Sequence, residues 1–127
     1  MSIGIKELLE EARREVVSLS VHDADAKRQT SNTVFIDIRD VRELQRDGMV
    51  SGARHAPRGM LEFWIDPDSP YHKSYFAEDK TFVFYCASGW RSLLAAQVAQ
   101  RMGLRCASME GGFGAWREAG LPTEPRD

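Results

Sequence analysis

The stretch Thr81-Phe82-Val83-Phe84-Tyr85-Cys86-Ala87-Ser88-Gly89-Trp90-Arg91-Ser92 decides the fold. Its first six residues are a nearly unbroken apolar run, as expected of a strand buried on both faces of a parallel sheet. A short loop containing a glycine follows. Residues 91–102, with Leu93, Leu94, Ala95, Ala96, Val98, Ala99 and Met102, carry a strongly helical pattern that Gly103 ends. Strand, tight loop and helix in succession is the alternation from which parallel sheets are built.

Upstream, Thr33-Val34-Phe35-Ile36-Asp37-Ile38 reads as a second buried strand. Residues 40–47 suit a helix stopped by Gly48, and 52–57 suit a short edge strand ending at Pro57. Residues 3–15 place Ile5, Leu8, Leu9 and Ala12 on one helical face. A strand over 16–21, a polar helix over 22–29 and a turn over 29–32 follow. Downstream of the loop, 106–109 reads as a strand and 113–119 as a helix, with a frayed tail from Glu124. Residues 60–79 are the least regular part. The order is roughly αβαβαβ(loop)βαβα, which implies one α/β domain over 1–127 with a parallel sheet covered on both faces.

The chain has 127 residues, 43% hydrophobic and 28% charged, enough for one core without staples. With 17 basic and 19 acidic residues the formal charge is -2, unlike a nucleic-acid binder. No apolar run is long enough to cross a bilayer, and the acidic N-terminus does not read as a secretory signal, so a cytoplasmic location is expected. Two cysteines fit a reducing compartment. Cys86 and Cys106, with His22, His55 and His72, give no zinc spacing, so no metal site is expected.

Cys86 ends its strand at the sheet edge where ligands collect in open α/β folds. A loop of this length has few ways to run except curled around the sulfur, and Gly89 permits the curl because it tolerates positive φ. Backbone N–H groups of Ala87, Ser88, Gly89 and Trp90 can then form an anion-binding nest, with the helix start at Arg91-Ser92 adding its dipole. Arg91 supplies a full charge, either to the site or as a brace for the loop. Each effect favours a thiolate. A free cysteine with no such context is more often plain packing.

The loop Cys86-x-x-Gly89-x-Arg91-Ser92 resembles the active-site loop of the rhodanese-like family. Asp37-Ile38-Arg39, with Glu43, Gly48 and Ser51-Gly52-Ala53 following, is similar to that family's first signature. Glu110-Gly111-Gly112-Phe113-x-Ala115-Trp116-x-x-Ala119-Gly120-Leu121-Pro122 is similar to its closing one. The likeness runs from about Thr33 to Pro122. It implies a five-stranded parallel sheet with helices on both faces. It also implies a sulfurtransferase, needing no metal or organic cofactor, in which Cys86 carries sulfur as a persulfide from thiosulfate or a persulfide donor to a thiol, cyanide or protein acceptor. Related phosphatases carry one more loop residue, so the four residues between Cys86 and Arg91 favour sulfur. Ala87 and Ser88 stand where thiosulfate-preferring members carry basic residues, which widens the choice of donor. Met49 stands where the first signature often has histidine.

Further residues admit two readings each. Arg58, in a loop that borders the active site in similar domains, binds the anionic donor or is an ordinary surface arginine. Trp90 walls the pocket mouth or packs on the sheet edge. Asp37 caps loop amides or pairs with Arg91 or Arg39, and its implied role is support, not proton transfer. The aromatic stretch 61–76 is core and cover, or it shapes acceptor access. Cys106 is packing or a resolving thiol for Cys86. The rival functions are a phosphatase or arsenate reductase working on the same loop, and a non-catalytic rhodanese module.

Overall fold

The computed structural model describes residues 2–30 and 32–126; Ser31 of the expected turn lies outside the described residues, as do Met1 and Asp127. The elements are α1 (Ile5–Glu15), β1 (Val17–Leu19), α2 (Val21–Arg28), β2 (Thr33–Asp37), α3 (Val41–Asp47), β3 (Met49–Val50), β4 (Arg54–His55), α4 (Leu61–Ile65), β5 (Thr81–Tyr85), α5 (Trp90–Arg101), β6 (Arg105–Met109), α6 (Gly112–Glu118) and β7 (Thr123–Glu124). Five strands form a parallel sheet in the order β1-β6-β5-β2-β4. The α/β architecture is the expected one, with β4 at the edge.

Alternation along β5 divides the interior. Phe82, Phe84 and Cys86 point to one face, where they meet α1, α4 and α5 through Leu9, Ala12, Leu61, Ile65, Ala95, Ala96 and Ala99. Val83 and Tyr85 point to the other face, against Val21 and Ala24 of α2 and Phe113 and Trp116 of α6. This period of two is why the run reads as apolar throughout: both faces are covered. Each buried aliphatic or aromatic side chain contributes about 1.5–3 kcal/mol. The alanine face of α5 lets that helix lie close on the sheet, so its first turn comes down beside the end of β5.

Four expectations are corrected. The strand expected over 16–21 stops at Leu19, because Ser20 caps α2: its Oγ accepts from the Asp23 N–H at 3.1 Å. The tail expected to fray from Glu124 is tied instead, since β7 pairs antiparallel with β3 and the Glu124 carboxylate accepts from the Gly52 N–H. The irregular segment 60–79 contains α4 and a 3-10 turn at Ser74–Ala77, with a second such turn at Arg58–Met60 just before it. Trp90, expected inside the loop, is the first residue of α5. Among the described residues no helix is long and apolar enough to cross a membrane.

Candidate active site

β5 ends at Tyr85, and Cys86 follows with its side chain on the α5 face. Gly89 then turns the chain with φ +102, a conformation that L side chains rarely adopt. The Gly89 N–H donates to Cys86 Sγ at 3.2 Å. The backbone N–H groups of Ser88 and Ser92 lie on the same side of the loop and favour the charged form of the sulfur. Helix α5 has no side-chain N-cap. The sulfur stands in that place, accepting from the amide of Gly89, the residue that precedes the first turn. Cys86 Sγ also lies 3.7 Å from Ser92 Oγ, which is 2.8 Å from Ser108 Oγ of β6.

The loop is held from behind by the turn between β6 and α6. Phe113 N–H donates to the Cys86 carbonyl at 2.8 Å, and Gly114 N–H donates to the Ala87 carbonyl at 3.1 Å. With those carbonyls fixed outward, the amides that follow are free to face inward. Gly112 makes this contact possible: it has φ +59, and a Cβ there would lie 2.6 Å from the Ala87 carbonyl carbon. The Gly-Gly-Phe of the closing signature is therefore the back plate of the loop.

Burial works to raise the pKa of Cys86. The amides of Ser92, Gly89 and Ser88, with the Ser92 hydroxyl, outweigh it and hold the thiol below its ordinary value. The thiol itself is fully covered, with 0% exposure. Arg91 makes a two-bond pair with Glu43, at 3.0 and 3.1 Å, which raises the arginine's pKa; the Cys86 thiolate adds to this. Arg91 is thus tied across from α5 to α3, with its charge near enough to interact with the sulfur. The same Glu43 closes the capping box of α3, accepting from the Asp40 N–H at 3.0 Å. The sequence marked Glu43 as part of a signature and gave it no role; the signal was the Asp40-x-x-Glu43 spacing.

Asp37 pairs with Arg39, not with Arg91. Arg39 Nη2 lies 2.7 Å from Asp37 Oδ2, and both side chains are buried. The same nitrogen donates to the Gly48 carbonyl at 2.7 Å, and the guanidinium sits 4.5 Å from the centre of the Phe113 ring. The Tyr85 hydroxyl accepts from the Val50 N–H at 3.0 Å. Burial first, then the Asp37 charge, push its pKa up. This buried cluster fixes the ends of β2 and β5 and the start of α6, so it supports the loop without touching the sulfur. His55 bonds the Arg39 carbonyl at 2.7 Å and His72 the Trp64 carbonyl at 3.0 Å, while His22 is exposed.

Arg58 turns its guanidinium to Glu62, at 2.8 Å. Trp90 is 60% exposed at the head of α5. From the 61–76 stretch, Leu61, Ile65 and Phe76 join the core, while Phe63 and Tyr71 meet edge to face on the surface. Cys106 is half-buried in β6, with its thiol on the Ala96 carbonyl at 3.3 Å, and both cysteines are free. It is in register with Phe82, four residues before Cys86, which puts roughly 13 Å of strand between the two thiols. Among the described residues no group of three or more His, Cys, Asp or Glu could hold a metal ion.

Comparisons with known proteins point to one family and fold. The family model described as "Rhodanese-like domain" matches residues 20–119. A Bacillus subtilis protein named "Putative sulfurtransferase YtwF" is 32% identical over 103 residues, covering 80% of this chain and 91% of that protein. A solved structure from Rhodopseudomonas palustris is 55% identical with a TM-score of 0.94, covering 98% of this chain and 96% of that one. It is described as a protein of unknown function, "Possible Tyrosine Phosphatase". A thiosulfate sulfurtransferase from Pseudomonas aeruginosa shares the fold, with a TM-score of 0.76 at 24% identity over 95% of this chain and 22% of that one.

Proposed function

This chain belongs to the rhodanese-like domain family, and from that premise we propose that it is a sulfurtransferase working through a Cys86 persulfide. One observation carries the reading: the Gly89 N–H meets the sulfur at 3.2 Å beside the Ser92 hydroxyl, and the loop amides together hold the thiol below its ordinary pKa. A thiolate is the nucleophilic form of cysteine. With thiosulfate as donor, the Cys86 thiolate attacks the outer sulfur. A Cys–S–S bond forms, the donor's S–S bond breaks, and sulfite leaves with the electron pair. A thiolate acceptor or cyanide then takes the outer sulfur and returns Cys86 as thiolate. The same amides that hold the thiolate serve the persulfide anion. No proton has to be removed during attack, so no general base is required.

Intact mass after incubation with thiosulfate tests the reading. The wild type is expected to gain the mass of one sulfur atom and to lose it on adding cyanide, whereas Cys86→Ala gains nothing. A wild type that gains no sulfur from thiosulfate, polysulfide or a low-molecular-weight persulfide would overturn it.

Phosphate-ester hydrolysis is the second reading, favoured by the description of the Rhodopseudomonas palustris relative. The loop speaks against it: four residues lie between Cys86 and Arg91, and Arg91 is engaged with Glu43. Turnover of p-nitrophenyl phosphate that depends on Cys86, without sulfur loading, would reverse the preference.

A further inference from the structure

Cys86 has no exposure in the resting arrangement, so the first groups its proton meets are the polar side chains beside the sulfur. Two other buried polar side chains lie beside it. Ser92 and Ser108, at 0% and 1% exposure, face each other at 2.8 Å, and Ser92 faces the sulfur at 3.7 Å. Burying a hydroxyl among apolar side chains costs free energy unless it is bonded. Ser108 points to the face that also carries Phe82 and Phe84, where an apolar residue would otherwise be expected. Ser108 also borders a cleft of about 240 Å³, lined as well by Arg13, Ser18, Ser88, Gly89, Trp90 and Glu110. Ser18 of β1 is the register partner of Ser108. Sulfur, Ser92, Ser108 and cleft are therefore connected in series, each touching the next.

Resting on the reading of Cys86 as the nucleophile, we propose that Ser108 is a positioning residue: it aims the Ser92 hydroxyl at the sulfur and passes the thiol proton to the cleft between α1 and α5. Each hydroxyl has one hydrogen and two acceptor sites, so the line has two states. In the thiol state, S–H donates to Ser92, Ser92 to Ser108, and Ser108 outward. To reach the thiolate state, the S–H bond breaks as its proton goes to Ser92 Oγ. The Ser92 hydrogen passes to Ser108 Oγ, and the Ser108 hydrogen leaves to water or a buffer base in the cleft. Every oxygen ends with one hydrogen. Both hydroxyls now point toward the sulfur, which is the orientation that stabilises its charge. The charged groups facing this line are Arg91 of α5, paired with Glu43 of α3, at the sulfur end, and Arg13 of α1 with Glu110 beyond β6 at the cleft.

The test is the pH dependence of Cys86 alkylation by iodoacetamide in the full chain, with the label located by peptide mass so that Cys106 is not counted. Ser108→Ala should move the midpoint upward and slow labelling at neutral pH roughly three- to tenfold, the effect of letting the Ser92 hydroxyl turn away from the thiolate. Ser108→Thr, which keeps the hydroxyl, should restore the wild-type profile. A purely structural serine would change the melting temperature and leave the midpoint in place. If alanine is not tolerated, Ser108→Cys, a weaker donor of similar size, is read in the same way. A folded Ser108→Ala protein whose profile overlays the wild type overturns the proposal. Failure of the wild type to take up sulfur would instead sink the nucleophile assignment, and the alkylation midpoint is measured independently of it.

Discussion

Cys86 and Cys106 lie on neighbouring strands, on the same face of one sheet, and meet opposite ends of the peptide group. Cys86 stands past the carboxyl end of β5, where the Gly89 turn and the start of α5 aim N–H groups at it. Cys106 stands near the amino end of β6, where the group beside it is the Ala96 carbonyl oxygen. Burial pushes the Cys106 thiol up to about 11 with nothing to oppose it. Burial acts on Cys86 as well, and there the amides win. Cover alone makes a thiol inert; cover with inward N–H groups makes it a stable anion. The difference lies in backbone direction, which a composition or burial count would not reveal.

The sharpest check on this contrast is competitive alkylation at neutral pH. Iodoacetamide is expected to label Cys86 over Cys106 on the order of a hundredfold or more, from their thiolate fractions; comparable labelling in the folded protein would erase the distinction. Gly112→Ala should come next in size. Its Cβ would collide with the Ala87 carbonyl, push the loop off α6 and unset the amides. A loss of roughly 2–4 kcal/mol in urea unfolding is expected, together with most of the Cys86 preference. Cutting the Asp37–Arg39 pair attacks the frame and spares the loop. Arg39→Ala should cost about 3–5 kcal/mol by leaving a buried carboxylate unpaired, and a neutral result in denaturant titration would remove its structural role.

Smaller effects separate the two thiols by sign. The folded pKa of Cys86 is depressed, so its contribution to stability is present above the ordinary thiol value and disappears as pH falls through the folded value. Cys106 is raised, so its contribution is present below the ordinary value and is lost as pH climbs toward about 11. In melting curves taken across alkaline pH, Cys86→Ala should remove a gain and Cys106→Ala should remove a loss. If both replacements changed the curve in the same direction, the opposed environments inferred for the two thiols would be wrong.

The loop was legible because its information is contiguous: apolar run, cysteine, glycine and helix fall within twelve residues, and backbone sterics leave the chain little choice there. The parallel sheet was legible from the same alternation repeated at Thr33–Ile38. What escaped depends on contacts between distant residues. Arg91 meets Glu43 across 48 positions, and Ser92 meets Ser108 across 16. The β3–β7 ribbon joins Met49 to Glu124, two segments of two residues each, too short to announce a strand. Asp37 had two arginines within plausible reach, and only the packing of Arg39 under Phe113 and Gly48 decides between them.

The central place of β5 in the strand order has a consequence for how the molecule comes apart. Flanked by β6 on one side and β2 on the other, its amides have no edge from which to fray. Deuterium uptake at Thr81–Tyr85 should therefore proceed only through whole-molecule opening, while β4 and β1 at the rims exchange earlier through local excursions. The thiol is anchored to the slowest-exchanging strand, so its chemistry should outlast the loosening of everything around it.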